Sequence, residues 1–69
     1  MRLRQLREER GLSQRKLAAI FGVPHQTYAH YERDDRPQPR EFLFKVADYF
    51  GVTIDYLIGY TDANYKIAI

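Results

Sequence analysis

The sequence predicts an all-α fold of five short helices, and the placement of its glycines is the first observation behind this prediction. Gly11, Gly22, Gly51 and Gly59 each follow a segment in which apolar residues recur every three or four positions. Glycine is favoured just after a helix because it adopts the left-handed backbone conformation without a steric penalty. The second observation is that no strand-like alternation of apolar and polar residues occurs ahead of the C-terminal tail.

Residues that favour helix starts agree with these stops. Ser13 and Thr53 stand where a side-chain oxygen can accept a free backbone N–H of the next turn. Pro24 suits the first turn of the third helix, and the prolines of DDRPQPR forbid its continuation beyond residue 32. The predicted helices cover residues 2–10, 13–21, 24–32, 40–50 and 54–58. They form one domain over residues 1–59, followed by a tail over residues 60–69.

Apolar spacing within each helix selects the core. The clearest pattern is in the fourth helix, where Leu43, Val46, Ala47 and Phe50 follow an i, i+3, i+4, i+7 spacing. The predicted core consists of Leu3, Leu6, Leu12, Leu17, Ala18, Phe21, Val23, Tyr28, Tyr31, Leu43, Val46, Ala47, Phe50, Ile54 and Leu57.

Composition limits the classes of protein that this chain can represent. The 69 residues include no cysteine, which excludes disulfides and thiolate metal sites. No apolar run approaches the roughly 18 residues that suggest a membrane span, and the N-terminus MRLRQLREER lacks the apolar region of a secretory signal. We therefore expect a cytoplasmic protein without a membrane association.

Charge is distributed unevenly along the chain. Residues 1–40 hold nine Lys or Arg against five Asp or Glu, whereas residues 41–69 hold two against four. A basic half of this kind can mark a surface that meets nucleic acid, and such asymmetry also arises by chance in short chains.

The third helix presents a polar ridge within this basic half. If Tyr28 and Tyr31 face inward, the residues on the opposite side are rich in hydrogen-bonding groups and free of acid. These outward-facing residues are His25, Gln26, Ala29, His30 and Arg33.

The sequence gives little support for a metal site or a catalytic site. His25 and His30 are five positions apart, so they project about 140° apart on a helix and cannot bind one ion together. The sequence from Ser13 to Lys16 matches S-x-x-K, but it lies at a helix start without companion motifs. We expect no catalytic residue, metal or cofactor, and no small-molecule effector is evident from the sequence.

The runs RLRQLREERGLSQRKLAAIFGVPHQTYAHYE and PREFLFKVADYFGVTIDYLIG resemble the Cro/XRE-type helix-turn-helix domains of phage repressors. The resemblance covers residues 2–59. It implies a lambda-repressor-like five-helix domain that places its third helix in the major groove of double-stranded DNA. The resemblance also implies that Arg7 pairs with Glu32 across the first and third helices.

Roles for the ridge residues follow from the resemblance. It implies base-reading positions at His25, Gln26 and His30, with Ala29 beside them near a thymine methyl group. Gln26 has the amide geometry for adenine, and a histidine can donate to guanine or to a phosphate. The implied phosphate or minor-groove contacts are Gln14, Arg15, Thr27, Arg33, Arg36 and Arg40. Arg15 could instead be only a solvated charge, and Thr27 could serve only in packing.

Asp34 and Asp35 depart from the pattern of the resembled family, which usually has Gly at the first position and often Lys at the second. Asp tolerates the left-handed conformation less well than Gly, and two acids near DNA would weaken binding. They could instead pair with Arg33 or Arg36.

The excess of apolar residues near the C-terminus suggests a homodimer. Phe42 is also in excess of what one helix face can bury, and the tail could instead fold back on the domain or lack order. The dimer candidates are Phe44, Tyr49, Tyr56, Tyr60, Tyr65, Ile67 and Ile69.

We expect a DNA-binding transcriptional repressor of a two-fold operator; a protein-interaction module or an antitoxin component is the alternative.

Overall fold

The computed structural model describes residues 1–61, and these residues form five helices without a strand. The helices are α1 (Leu3–Glu9), α2 (Gln14–Phe21), α3 (His25–Arg33), α4 (Arg40–Phe50) and α5 (Ile54–Ile58). Every predicted helix is present, with bounds within one residue of those expected. The all-α prediction is confirmed, whereas the division into a domain and a tail stays a prediction because residues 62–69 lie outside the described part.

Side-chain caps fix where α2 and α5 begin. The Ser13 hydroxyl accepts a hydrogen bond from the Lys16 N–H at 3.0 Å, and the Thr53 hydroxyl accepts one from the Tyr56 N–H at 3.1 Å. Each bond satisfies a backbone donor that has no partner within its own helix, which is worth about 1 kcal/mol. Both cap predictions are confirmed.

A three-residue connection reverses the chain between α2 and α3. Gly22 has φ 71°, in the left-handed region. Its N–H bonds to the Ala19 carbonyl at 3.3 Å, and the Val23 N–H bonds to the Ala18 carbonyl at 3.0 Å. These bonds satisfy the last carbonyls of α2, and α3 begins directly after Pro24. The tight turn holds α3 against α2.

The core lies between the inner faces of all five helices. Its buried residues are Leu3, Leu6, Leu17, Ala18, Phe21, Tyr28, Tyr31, Phe42, Val46, Ala47, Phe50, Val52, Tyr56 and Leu57. Leu12, Val23, Leu43 and Ile54 are partly buried and pack against this cluster.

The prediction that Phe42 exceeds the burial capacity of α4 is wrong. Phe42 is 4% exposed, and its ring lies 4.6 Å from that of Tyr31 and 5.6 Å from that of Phe21. Leu43, which the spacing assigned to the core, is only partly buried and packs against the core cluster. The inner face of α4 is therefore turned toward α2 and α3, where aromatic rings fill the space between the helices.

Two arginines hold the ends of α1 against the rest of the domain. The Arg2 guanidinium lies 4.4 Å from the Tyr56 ring centre, and its Nε donates to the Tyr56 carbonyl at 2.8 Å. Arg10 lies 5.0 Å from the Phe50 ring centre and donates to the Phe50 carbonyl at 3.2 Å. Because the cations both stack and hydrogen-bond, they join α1 to α5 and to the end of α4.

Candidate nucleic-acid interface

The outer surface of α3 is polar, and its position follows from two buried tyrosines. Tyr28 is 0% exposed and Tyr31 is 7% exposed, so both rings anchor the helix from below. Gln26 lies on the opposite side and is exposed, while His25, Ala29 and His30 are partly exposed beside it. The expected ridge is therefore present as a surface, and no acid occurs between residues 25 and 31.

Glu32, the first acid of α3, is turned away from this surface into a hydrogen-bond network. Its side chain is only 3% exposed. Arg7 donates to the two carboxylate oxygens, from Nε at 2.9 Å and from Nη2 at 3.1 Å. Gln14 Nε2 donates to Oε1 at 3.0 Å. The Arg7–Glu32 pair implied by the resemblance is thus present, and it joins α1, α2 and α3.

Protonation of Glu32 is shifted by this network. Burial by itself favours the neutral acid, but the hydrogen bonds from Arg7 and Gln14 and the positive charge of Arg7 outweigh it. The pKa of Glu32 is therefore lowered. Arg7 Nη1 also donates to the Leu12 carbonyl at 2.8 Å. The guanidinium is therefore held between α3 and the connection from α1 to α2.

Tyr28 approaches the same carboxylate from the core. Burial raises the pKa of the Tyr28 hydroxyl well above its usual value, and the Glu32 carboxylate raises it further. Although buried, the hydroxyl makes no hydrogen bond of acceptable geometry with any residue among 1–61. The phenol is neutral, and its ring is the part that anchors α3.

Asp34 ends α3 in the left-handed conformation, with φ 59°. Its carboxylate accepts hydrogen bonds from the Met1 amino group at 2.7 Å and from Gln38 Nε2 at 3.0 Å. The bond from the amino group is the main cause that lowers the pKa of Asp34. These contacts give Asp34 partners within the domain, so it is not an isolated acid beside α3.

Asp35 binds two side chains of the α3 surface. Its carboxylate lies 2.8 Å from His30 Nδ1 and accepts a hydrogen bond from Arg33 Nε at 3.1 Å. The bond with His30, and after it the bond with Arg33, lowers the pKa of Asp35. Of the two arginines considered from the sequence, Arg33 is the one paired with Asp35.

The remaining cations expected at phosphates lie on the exposed surface. Arg15, Arg36 and Arg40 are exposed and have no ion-pair partner within residues 1–61. Thr27, in the first turn of α3, is partly buried. Gln14 keeps one amide hydrogen and its amide oxygen free of hydrogen bonds to the described residues, since only one N–H is used by Glu32.

Comparison with known proteins gives the family. The family model described as Helix-turn-helix matches residues 3–57, well over half of the chain. This chain belongs to the Cro/XRE-type helix-turn-helix family. In this helix-turn-helix unit, α2 and α3 are the two helices and Gly22, Val23 and Pro24 form the turn between them.

Several curated relatives share most of the chain. The uncharacterized HTH-type transcriptional regulator YobD of Bacillus subtilis is 36% identical over 61 residues, 88% of this chain and 54% of that protein. The cryptic phage CTXphi transcriptional repressor RstR of Vibrio cholerae is 35% identical over 63 residues, 91% of this chain and 57% of that protein. This chain spans about half the length of such relatives. No solved structure gave a significant match.

The proposed dimer residues of this helix-turn-helix chain fall into three groups. Phe44, Tyr49 and Tyr60 are exposed, by 56%, 38% and 82%. Tyr56 is 6% exposed, which corrects its selection as a surface aromatic: its ring packs in the core beneath the Arg2 guanidinium. Tyr65, Ile67 and Ile69 lie outside the described residues.

Sequence reasoning missed two exposed apolar side chains of the helix-turn-helix domain. Ile20 on α2 is 44% exposed, and Ile58 at the end of α5 is 47% exposed. Ile58 lies close in sequence to Tyr60 and extends the apolar character of that end of α5. A signal was available for both, since each is an apolar residue directly beside the predicted core residue of its helix, Phe21 or Leu57.

Two kinds of feature are absent from the described part of the chain. Residues 1–61 contain no group of three or more His, Asp or Glu side chains placed to hold an ion. Within the same range, no helix has the length and apolar character needed to cross a bilayer.

Proposed function

We propose that this protein is a transcriptional regulator that binds double-stranded DNA in a sequence-specific manner, with α3 in the major groove. The main support for the proposal is the polar outer surface of α3, together with the membership of the chain in the Cro/XRE-type family. This surface is exposed, rich in hydrogen-bonding groups and free of acid from residue 25 to residue 31. Such a surface suits the edges of base pairs, which present hydrogen-bond donors and acceptors in the major groove.

Gln26 is the central base reader in this proposal. It is exposed, and its amide can donate to N7 and accept from N6 of one adenine. Ala29 lies about one helical turn after Gln26, and its short side chain leaves room for a thymine methyl group. His25 and His30 flank the two and contact neighbouring base pairs.

Phosphate contacts orient α3 in the groove. The second amide hydrogen of Gln14 is free to reach a phosphate while the first stays bonded to Glu32. The start of α2 adds its own attraction for an anion. Arg15 and Arg36 supply exposed positive charge, and the other contacts come from Thr27, Arg33 and Arg40, the last of these toward the minor groove.

In this proposal the protein acts as a homodimer that represses transcription from a two-fold operator. RstR is named a transcriptional repressor, and occupancy of a promoter by a bound dimer is the simplest action for a small DNA-binding domain. A dimer would place its α3 helices in half-sites one helical turn apart, about 34 Å.

The test is selection of bound duplexes from a random DNA pool at about 0.15 M salt, near physiological ionic strength. The variant Gln26→Ala is run in parallel with Gln5→Ala, which removes an equally long amide from the exposed side of α1. We expect an inverted repeat for the native chain and for Gln5→Ala. Gln26→Ala should lose preference at one base pair in each half-site, because Gln26, unlike Gln5, lies on the outer surface of α3.

Other results of the selection discriminate among the alternatives. A single half-site would retain base reading by α3 and reject the two-fold operator. Failure to enrich any sequence would reject sequence-specific binding and favour a protein-interaction module.

A further inference from the structure

His30, Arg33 and Asp35 form a cluster at the C-terminal end of the α3 surface. One carboxylate oxygen of Asp35 lies 2.8 Å from His30 Nδ1, and the other accepts from Arg33 Nε at 3.1 Å. Arg33 Nη2 lies 3.1 Å from the same Nδ1 atom. His30 Nδ1 is therefore approached by an acceptor on one side and by a donor on the other.

The location of the imidazole proton follows from these two approaches. A neutral imidazole carries its single proton on either Nδ1 or Nε2. An ionised carboxylate only accepts hydrogen bonds, and exposed Asp side chains are ionised at neutral pH. At 2.8 Å from a carboxylate oxygen, an unprotonated Nδ1 would place two lone pairs against each other. The contact with the ionised carboxylate is the shorter of the two, so it favours a proton on Nδ1 over acceptance from Arg33 Nη2 at 3.1 Å. Arg33 Nη2 stays nearby because its own Nε is bonded to Asp35.

We propose that Asp35 is a positioning residue that holds neutral His30 in the Nδ1–H form and so presents Nε2 to the outside as a hydrogen-bond acceptor. No residue among 1–61 hydrogen-bonds this Nε2 atom, and the His30 side chain is 33% exposed. The polarity of His30 is thus set by a residue on the turn after α3.

This assignment deepens the proposed function, on which its consequence for DNA rests. An acceptor at Nε2 matches the donors of the major groove, which are N6 of adenine and N4 of cytosine. It cannot form a hydrogen bond with N7 or O6 of guanine, because both of these atoms are also acceptors. The sequence allowed His30 to donate to guanine or to a phosphate, whereas with Asp35 in place it becomes a reader of adenine or cytosine.

The proton position can be measured without DNA. Long-range ¹H–¹⁵N correlation spectra of the uniformly labelled chain at about pH 8, where ordinary imidazoles are neutral, distinguish a protonated nitrogen from an unprotonated one in each ring. We expect His30 to show protonated Nδ1 and unprotonated Nε2. In Asp35→Ala the His30 pattern should move toward protonated Nε2, while His25, which has no such acid partner within residues 1–61, should stay unchanged.

A binding comparison tests the consequence for base preference. The base pair read by His30 is the one at which selected sequences lose preference in His30→Ala. Duplexes that differ only at that pair are then compared for the native chain, Asp35→Ala and Glu41→Gln, which removes an acidic charge on α4. We expect the native preference for adenine or cytosine over guanine to fall about fivefold in Asp35→Ala, the size of one hydrogen bond. It should persist in Glu41→Gln, because removal of a charge changes all affinities together.

The outcomes separate this inference from the proposed function. Protonated Nε2 on His30 of the native chain would overturn the proton assignment, whether or not DNA binds. A preference for guanine that Asp35→Ala leaves unchanged would overturn the role in base reading. Failure of every duplex to bind would reject the proposed function and, with it, base reading by His30, while the spectra would still decide the position of the proton.

Discussion

Glu32 shows most clearly how one residue couples the stability of the domain to the orientation of α3. It accepts hydrogen bonds from Arg7 and Gln14, and its side chain is 3% exposed beside an Arg7 side chain that is 14% exposed. Removal of one partner from a buried ion pair leaves the other charge without compensation, which costs more than the pair contributes net. The pair is therefore a point where a single change should have a large effect.

We expect Glu32→Ala to lower the free energy of unfolding by about 3 kcal/mol, because the Arg7 guanidinium loses its buried counterion. Urea denaturation at neutral pH measures this change. Glu9→Ala is the matched control, since Glu9 is exposed on α1, where it accepts a hydrogen bond from Gln5, and its loss should cost no more than about 0.5 kcal/mol. Equal losses in the two variants would contradict a structural role for the Arg7–Glu32 pair.

Asp34 shows which part of a residue's role could be read from the sequence. The expectation that position 34 adopts the left-handed conformation came from the glycine usual there in the resembled family, and the φ of 59° confirms it. The partners of the carboxylate, Met1 and Gln38, could not be predicted, because they depend on how distant segments meet in space.

At the scale of the element, the end of α3 and the turn after it form an acid-sensitive segment. Glu32, Asp34 and Asp35 all have lowered pKa values, from ordinary values of 4.5 for the glutamate and 3.8 for the two aspartates. A carboxyl group with a lowered pKa in the folded state binds fewer protons than it does in the unfolded chain. Its contribution to stability is present above the ordinary pKa and is lost as the pH falls through the folded-state pKa.

We therefore expect the free energy of unfolding to be nearly constant from about pH 7 to 5 and to fall as the pH is lowered through 4 toward 3. Urea unfolding at each pH measures it. Asp35→Asn should reduce the fall, because this exposed position then no longer titrates while the core is untouched. A stability that is equal at pH 7 and pH 3, or greater at pH 3, would show that these carboxylates are not stabilised in the folded state.

Helix ends were predictable in this chain, and the rotation of α4 was not. The caps at Ser13 and Thr53 and the left-handed Gly22 depend on residues within one turn, so local sequence contains the whole signal. The face of α4 depends on what lies opposite. Phe42 and Leu43 both fit an apolar stripe with Val46, and only the rings of Phe21 and Tyr31 decide that Phe42 is buried.

The candidate site divides in the same way. The outward position of Gln26 follows from the helical spacing of Tyr28 and Tyr31, so it could be predicted from the sequence. The contact of Asp35 with His30 was not predicted, because it requires the chain to turn back on α3 after Asp34. Side-chain networks of this kind depend on the distances between separate segments of the chain, which helical periodicity does not specify.

At the scale of the whole molecule, the exposed aromatic residues of α4 cannot all belong to one dimer surface. Phe44 and Tyr49 are five residues apart, which places them about 140° apart around the helix. The Tyr49 ring already packs at 5.6 Å from Phe21 and 5.1 Å from Phe50. In the proposed dimer we therefore expect Phe44, which is 56% exposed, to lie at the interface rather than Tyr49.

We expect Phe44→Ser to weaken self-association, because it removes the most exposed aromatic side chain of α4. Sedimentation equilibrium at about 50 µM, where a concentration-dependent dimer can be followed, compares the observed mass with the monomer mass of 8.2 kDa. Ile20→Ser removes an exposed apolar side chain from α2 and should leave the mass unchanged. A native chain that sediments as a monomer would remove the dimer from the proposal.

The electrostatic part of DNA binding is also a property of the whole molecule, and it separates the proposed function from a protein-interaction module. A protein that neutralises phosphates releases counterions, so the logarithm of its affinity falls linearly with the logarithm of salt concentration. Arg15 is exposed near the start of α2, without an ion-pair partner in residues 1–61. If it binds a phosphate, its removal should reduce the slope by about one.

We expect Arg15→Gln to weaken binding to all duplexes by a similar factor and to reduce the salt slope by about one, without a change in sequence preference. Affinities measured by fluorescence anisotropy over a range of salt concentrations give the slope. Arg4→Gln, the same charge change on α1 where Arg4 pairs with Glu8, should change the slope less. A native slope near zero would contradict phosphate binding altogether, since an interaction carried by the apolar residues of the surface releases no counterions.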